Sequence, residues 1–315
     1  MADKLVESFN AISLNDKKFQ KPFLKWVGGK TQIIKDVLNN FPKKINNYRE
    51  IFVGGGSVLF AALELFNKNN ITITGNIYAY DLNLGLISLY KNIQTNPNEI
   101  HSKLSEYYSK INSITGGEIN RKPNSLADAE TSKESYFYWI RKQFNEIEDK
   151  TSLTYSAMFL FLNKTCFRGM YREGPSGFNV PYGHYKTFRC IEKEDLISIS
   201  RLIQPVVFTC IDFKMSMDEC EKNDFVYLDP PYAPEDTTSF VGYTKDGFNL
   251  KQHQLLFKMA NELSDKNIKF LMSNSNVKLV RDSFTKLNIT EIEARRAINS
   301  KKPQSKTTEV FIKNF

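Results

Sequence analysis

Short apolar runs, most of them stopped by a carboxylate or by glycine, limit most strongly what this chain can fold into. Residues 48–53 run into Gly54, Gly55 and Gly56, residues 77–80 end at Asp81, and residues 206–210 lead into Asp212. Residues 225–228 meet Asp229, and residues 268–272 meet Ser273 and Asn274. Most are followed by amphipathic helical patterns, as at 57–66, 250–263 and 277–287. Strand alternating with helix predicts an α/β fold with a doubly wound, mainly parallel sheet. Residues 289–294 and 309–313 read as a closing antiparallel strand pair. In open sheets of this type ligands bind beyond the carboxyl ends of the strands, where these acids and glycines fall.

The stretch 88–195 breaks the alternation. It reads as helices and loops punctuated by Pro97, Gly116, Gly117, Pro123, Pro175 and Gly177, with a polar surface loop over 112–133. The expected organisation is therefore one sheet domain from 1–87 and 196–315, with a smaller helical module inserted at 88–195. With 315 residues and 41% apolar side chains, the chain has material for one sizeable core and a second module. No apolar run approaches the length of a membrane span, and residues 1–20 lack the hydrophobic stretch of a secretory signal. Cys166, Cys190, Cys210 and Cys220 form no C-x-x-C pair and have no ligand-like spacing to the histidines. That argues against zinc and a disulfide framework and fits a reducing, intracellular compartment. A net charge of +8 is compatible with a polyanionic partner.

Asp229-Pro230-Pro231-Tyr232 is the sharpest motif. Two prolines can simply end a strand, but that leaves the acid and the aromatic on either side unexplained. An exocyclic aromatic amine is a poor nucleophile because its lone pair is delocalised into the ring. A carboxylate and a backbone carbonyl can accept both amino hydrogens and favour the pyramidal geometry of attack. Proline has no N–H and a fixed φ that helps aim the carbonyl, and Tyr232 offers a stacking face. The glycine turn after Phe52 would let the backbone approach a ligand closely, although it is not the dinucleotide fingerprint, whose third glycine would fall at Leu59. Asp81 suits ribose hydroxyls. The segment 23–31 ends like a phosphate-binding loop, but its required first glycine would be Leu24, so that reading fails.

Lys25-Trp26-Val27-Gly28-Gly29-Lys30, then Phe52-Val53-Gly54-Gly55-Gly56-Ser57, then Asp229-Pro230-Pro231-Tyr232 resembles, in set and order, the Dam family of DNA adenine-N6 methyltransferases. The resemblance extends over 22–315 and takes in Ser273-Asn274-Ser275 and the segment 178–183. It implies the class I S-adenosylmethionine-dependent methyltransferase fold and a methyl group moved from S-adenosylmethionine to adenine N6 in double-stranded DNA, with 5′-GATC-3′ as the expected site. It further implies that Trp26, Lys30, Asp81 and Asp229 contact the cofactor, that Phe52, Gly54 and Gly56 lie beside it, and that Asp212 and Phe213 border its adenine. Asp229, Pro230, Pro231 and Tyr232 would receive the target base.

The inserted module would be the target-recognition domain, with Lys25, Arg141, Lys164, Phe167, Arg168, Met170, Arg172, Pro181 and His184 on DNA. Phe167 would be the wedge left in the stack, Arg172 the fork on guanine, and Arg141 and Lys164 phosphate contacts. Arg168 stands where relatives often carry Asn, and His184 where Arg is common. A monomer suffices for a palindrome, a dimer is compatible, and a cognate restriction endonuclease is a conceivable partner. Three other readings stand beside this one. A cytosine-C5 enzyme would need a thiolate, usually after proline, and no cysteine here follows one. A relative acting on RNA or protein would keep a similar turn, and a non-catalytic DNA-binding module would tolerate loss of motifs that are intact here.

Overall fold

The computed structural model describes residues 19–234, 248–295 and 306–315. Most of the N-terminal stretch read for a signal lies outside them. Among these residues seven strands make the main sheet: β2 (Tyr48–Glu50), β4 (Ile77–Asp81), β7 (Val206–Cys210), β8 (Phe225–Leu228), β9 (Lys269–Ser275), β10 (Asn288–Arg295) and β11 (Lys306–Lys313). Their order is β10-β11-β9-β8-β2-β4-β7. The five from β9 to β7 are parallel, and β11 runs antiparallel to both β9 and β10. The chain winds outward from β2 to β4 and β7, then returns to β8 on the other side of β2. That reversal opens a crevice at the carboxyl ends of β2 and β8.

Alternation along the strands explains why the sheet is covered on both faces. Phe225, Tyr227, Leu271 and Phe311 enter one apolar cluster, while Val226, Leu228, Phe270, Met272, Val310 and Ile312 enter the other. Strands buried on both faces read as near-continuous apolar runs, and for that reason β8 falls where the sequence predicts it. β4 does so too, and so does the edge strand β7, although Val207 is exposed. Other elements differ. β2 stops at Glu50, and the chain then turns while still bonding its neighbours, Ile51 N to Tyr227 O and Val53 N to Tyr80 O. β9 continues through Ser273, Asn274 and Ser275, because β11 supplies ladder partners there. The helix expected at 277–287 is only Lys278–Ser283. Ser283 Oγ donates to the Leu279 carbonyl, and Asn261 takes the Ser283 carbonyl, so the last turn is satisfied without continuing. Two small pairs, β1 (Lys44–Ile45) with β3 (Thr72–Ile73) and β5 (Glu173–Gly174) with β6 (Gly177–Phe178), went unforeseen.

The middle of the chain packs around helix Leu153–Thr165, which is buried along most of its length against helices Leu84–Thr95, Pro97–Ser113 and Lys133–Glu146. The breaks expected at 87/88 and 195/196 fall inside helices Leu84–Thr95 and Lys193–Ile203. One apolar cluster runs from Val58 and Ala79 through Leu89 and Leu104 to Phe161 and Phe188, so these helices share the core of one sheet face.

Candidate active site

Asp229 leaves the end of β8 and meets Lys30, which arrives from the segment before helix Ile34–Asn39. Lys30 Nζ lies 2.7 Å from Asp229 Oδ1, and the lysine side chain is only 5% exposed. The ammonium also donates to the Gly28 carbonyl at 2.7 Å and sits 4.7 Å from the centre of the Tyr232 ring. The backbone N–H of Lys30 donates to Ser57 Oγ, the first residue of helix Ser57–Asn67, which ties the N-terminal segment to the glycine turn. Burial lifts the Asp229 carboxyl to about 6; Lys30 opposes that shift and Glu309 adds to it. Lys30, expected at the cofactor, is thus also paired with Asp229.

The residues after Asp229 are held from neighbouring strands. Pro230 is buried, Tyr232 Oη donates to Glu309 Oε2 at 2.7 Å, Ala233 N donates to Asn274 Oδ1 at 3.0 Å, and Ser275 Oγ donates to the Ala233 carbonyl. Glu309 was not foreseen: in a strand that pairs on both sides it looks like one more alternating polar residue. Beneath the turn lies a second unforeseen acid, Glu50, which accepts from Tyr48 Oη at 2.6 Å. Burial, with Asp229 nearby, raises its carboxyl to about 8.

The glycine turn is shaped by its neighbours. Gly54 and Gly56 have φ of +47° and +73°. A Cβ on Gly54 would lie 2.9 Å from the Trp26 ring, and one on Gly56 would lie 2.7 Å from the Tyr90 hydroxyl. Glycine is therefore required both for backbone conformation and for Trp26 to pack on the turn. Asp81 Oδ2 accepts from Gly54 N at 3.1 Å and Oδ1 from Asn83 N at 2.9 Å, while burial raises its carboxyl above the usual range. Asp212 caps helix Phe213–Asp218 by accepting from Lys214 N, and the Phe213 ring lies 5.9 Å from Phe52. The crevice thus offers carboxylates and backbone N–H groups at strand ends beside aromatic faces. This set suits an adenosyl group, with its ribose hydroxyls and purine.

The other expected residues gather on a hairpin after helix Leu153–Thr165. Its arms are joined by Cys166 opposite Tyr182, by Phe167 N to Pro181 O at 2.8 Å, and by β5 with β6 at the tip. Phe167, Arg168, Arg172, Pro181 and His184 are exposed. Met170 and Lys164 are half-buried. Arg141 donates to the Val180 carbonyl at 3.2 Å and lies over the Tyr138 ring, so it braces the hairpin from behind. His184 faces Glu134 at 3.8 Å, and Arg121 shares that carboxylate. Asn163, buried and also unforeseen, joins hairpin to crevice. Its amide accepts from Lys25 N and donates to the carbonyls of Lys25 and Gly169. Next to it, Trp26 stacks on Tyr171 with centroids 5.6 Å apart.

A sheet whose winding reverses at a glycine turn, with an acid, two prolines and a tyrosine across the crevice, is an arrangement that suits a methyltransferase acting on an amine. The chain belongs to the D12 class of N6 adenine-specific DNA methyltransferases, whose family profile matches residues 26–298. It is 35% identical to the Type II methyltransferase M.MjaIII of Methanocaldococcus jannaschii, over 94% of this chain and 99% of that protein. It is 31% identical to the DNA adenine methylase of Haemophilus influenzae, over 91% of each, and 31% identical to that of Escherichia coli, over 90% of this chain and 91% of the other. Among the described residues no helix is long and apolar enough to cross a membrane.

Proposed function

We propose that the crevice binds S-adenosylmethionine and that the turn after β8 receives an adenine swung out of a DNA duplex at 5′-GATC-3′. The observation that carries the catalytic part is the convergence of Asp229, Pro230 and Tyr232 with Lys30 at the switch point of the sheet. Trp26, Lys30, Phe52, Gly54, Gly56, Asp81, Asp212, Phe213 and Asp229 line the cofactor side. When bound, the cofactor supplies an electrophilic methyl group on a sulfonium. The chain's own work is positioning. Asp229 and the Pro230 carbonyl accept the two hydrogens of the adenine amine and localise its lone pair, Tyr232 presents a face to the ring, and Lys30 opposes protonation of Asp229. Transfer is then a direct displacement with no covalent enzyme intermediate. The ammonium-like nitrogen formed on transfer is acidic and gives up its proton readily, leaving the neutral N6-methylated amine, so Asp229 need not be a strong base.

The helices and hairpin between 88 and 195 act as the target-recognition unit in this reading. Phe167 holds the gap left by the flipped base. Arg172 reads guanine O6 and N7, and Lys25, Arg168, Met170, Pro181 and His184 lie along the same surface. Support for GATC is the likeness of Arg172, Pro181 and the segment 178–183 to family members that read this site. A palindrome allows one monomer to treat each strand in turn, and a cognate endonuclease would fit a protective role inside the cell. Expression in cells lacking adenine methylation, followed by plasmid digestion, tests the site. Resistance to a nuclease blocked by GATC adenine methylation, with sensitivity to one that requires it, is the expected pattern. N6-methyladenine in another context would reject the site and leave the chemistry standing.

A further inference from the structure

We propose that Glu309 is a positioning residue of the reaction, fixing the Tyr232 ring through its hydroxyl so that the face offered to the target base is set before the base arrives. The proposal rests on the reading that the turn after β8 receives adenine. Residues 229–233 lie beyond the β8 ladder, so among the described residues the pairings of β8 do not hold them. They are instead gripped by side chains of two other strands. Asn274 Oδ1 and Ser275 Oγ, from β9, take the two backbone groups of Ala233, and Glu309, from β11, takes the Tyr232 hydroxyl at 2.7 Å. Ser275 and Glu309 are directly paired across the β9–β11 ladder. Paired residues project on the same side of a sheet, so one register position delivers both grips to consecutive residues of the turn.

The tether answers a specific need. A tyrosine ring rotates about two side-chain bonds, and a stacking surface that must be ordered at the moment of binding costs affinity or rate. Lys30 sits over the Tyr232 ring and restrains its face but not its reach, since that contact is electrostatic and has no fixed axis. The hydroxyl-to-carboxylate bond supplies the direction. It also explains why the antiparallel pair at the end of the chain matters to the site: β11 is the strand that carries Glu309 to within reach of the turn.

Steady-state transfer of labelled methyl groups from S-adenosylmethionine to plasmid DNA lacking N6-methyladenine tests this without assuming the site. Glu309→Leu is expected to lower kcat about tenfold, the worth of one hydrogen bond, with KM for S-adenosylmethionine changed by less than about twofold. Glu309→Gln, which keeps an acceptor, restores most of the rate. Tyr232→Phe removes the donor, loses about as much as Glu309→Leu, and makes Glu309→Leu silent when the two are combined. Unchanged kcat in Tyr232→Phe, additive losses in the double variant, or a Gln variant as impaired as the Leu variant would each overturn the proposal. Tyr232→Phe alone decides the matter if Glu309→Leu does not fold. Tyr232→Ala separates the two levels. Full activity there rejects the turn as the base's seat and the proposal with it, whereas lost activity beside a fully active Glu309→Leu rejects the positioning role alone.

Discussion

The turn after β8 and the hairpin after helix Leu153–Thr165 are both short and both end buried elements, yet they are fixed in opposite ways. In the turn the side chains are answered from within: Asp229 by Lys30, Tyr232 by Glu309, and the Ala233 backbone by Asn274 and Ser275. In the hairpin the backbone is answered, arm to arm and through Asn163 and Arg141, while Phe167, Arg168, Arg172 and Pro181 point outward. Two hairpin residues, Arg168 and His184, also hold φ of 56° and 52°, a left-handed conformation that costs a non-glycine residue about 1–2 kcal/mol. A site that must present fixed acceptors to a poor nucleophile benefits from internal order. A surface that must match a partner keeps its functional atoms outward and accepts strain.

Breaking the ordered side should have the largest effect. Asp229→Ala is expected to reduce methyl transfer about a thousandfold or more, since it removes an acceptor that orients the amine. The variant also strands the buried Lys30 ammonium, so its melting temperature should be measured beside its rate. A near-normal rate in a folded Asp229→Ala protein would remove this turn from the chemistry. The same carboxyl sharpens the comparison through pH. Burial lifts it to about 6, and only the ionised form accepts both the lysine and the amine. Rate should therefore fall as pH drops below about 6, approaching tenfold per unit, and level off above it. A rate limb near the ordinary aspartate value would mean that the group is more hydrated in solution than this fold makes it.

How far the sequence reaches follows the same division. β8 is legible because burial on both faces leaves an unbroken apolar signature, β4 and the edge strand β7 because their runs are nearly as apolar, and the acids at or just after their ends fall where those runs stop. Asp229-Pro230-Pro231-Tyr232 is legible because its residue types have few other uses together. The partners are less so: Glu50 and Glu309 come from distant segments and nothing local marks a glutamate that will face a tyrosine, while Lys30 is marked by its motif but its pairing with Asp229 is not. Two-residue strands such as β5 and β6 show no period at all. The glycine turn is a subtler case. Its need for glycine was visible, but the cause visible only in the fold is Trp26 and Tyr90 pressing on it.

On the hairpin, a smaller loss with a different signature is expected. Arg172 is exposed and its Nε donates to Asn179 Oδ1 at 2.7 Å, which aims the guanidinium without burying it. Arg172→Ala should cost about 1–3 kcal/mol of discrimination at one base position and little in overall fold. The check is the ratio of kcat/KM on duplexes altered at each outer base in turn. A loss spread evenly over all sequences would make Arg172 a phosphate contact and move base reading elsewhere on the hairpin.

The smallest effect, and the one that tests the boundary between the two regions, concerns Lys164. It closes the buried helix just before the hairpin, half-buried, and burial together with the nearby Lys25 ammonium depresses its pKa to about 8. Lys25 itself is exposed, lies over the Tyr185 ring, and is held through its backbone by Asn163. Two like charges brought together in this way are each stabilised by an anion between them, and a DNA phosphate meets that need. The sign then follows: Lys164 has lost part of its charge by pH 8 in the absence of DNA, and a bound phosphate favours the charged form, so binding takes up a proton above that pH. Affinity for duplex DNA should therefore weaken as pH rises from about 7 to 9, and Lys164→Ala should remove most of that dependence. The same variant should reduce the slope of log affinity against log salt by about one and weaken all sequences alike, by only a few-fold at physiological salt. If Lys164→Ala leaves both the salt slope and the pH dependence intact, the cationic pair serves the junction between crevice and hairpin, and the phosphate contacts lie farther out along the hairpin's exposed face.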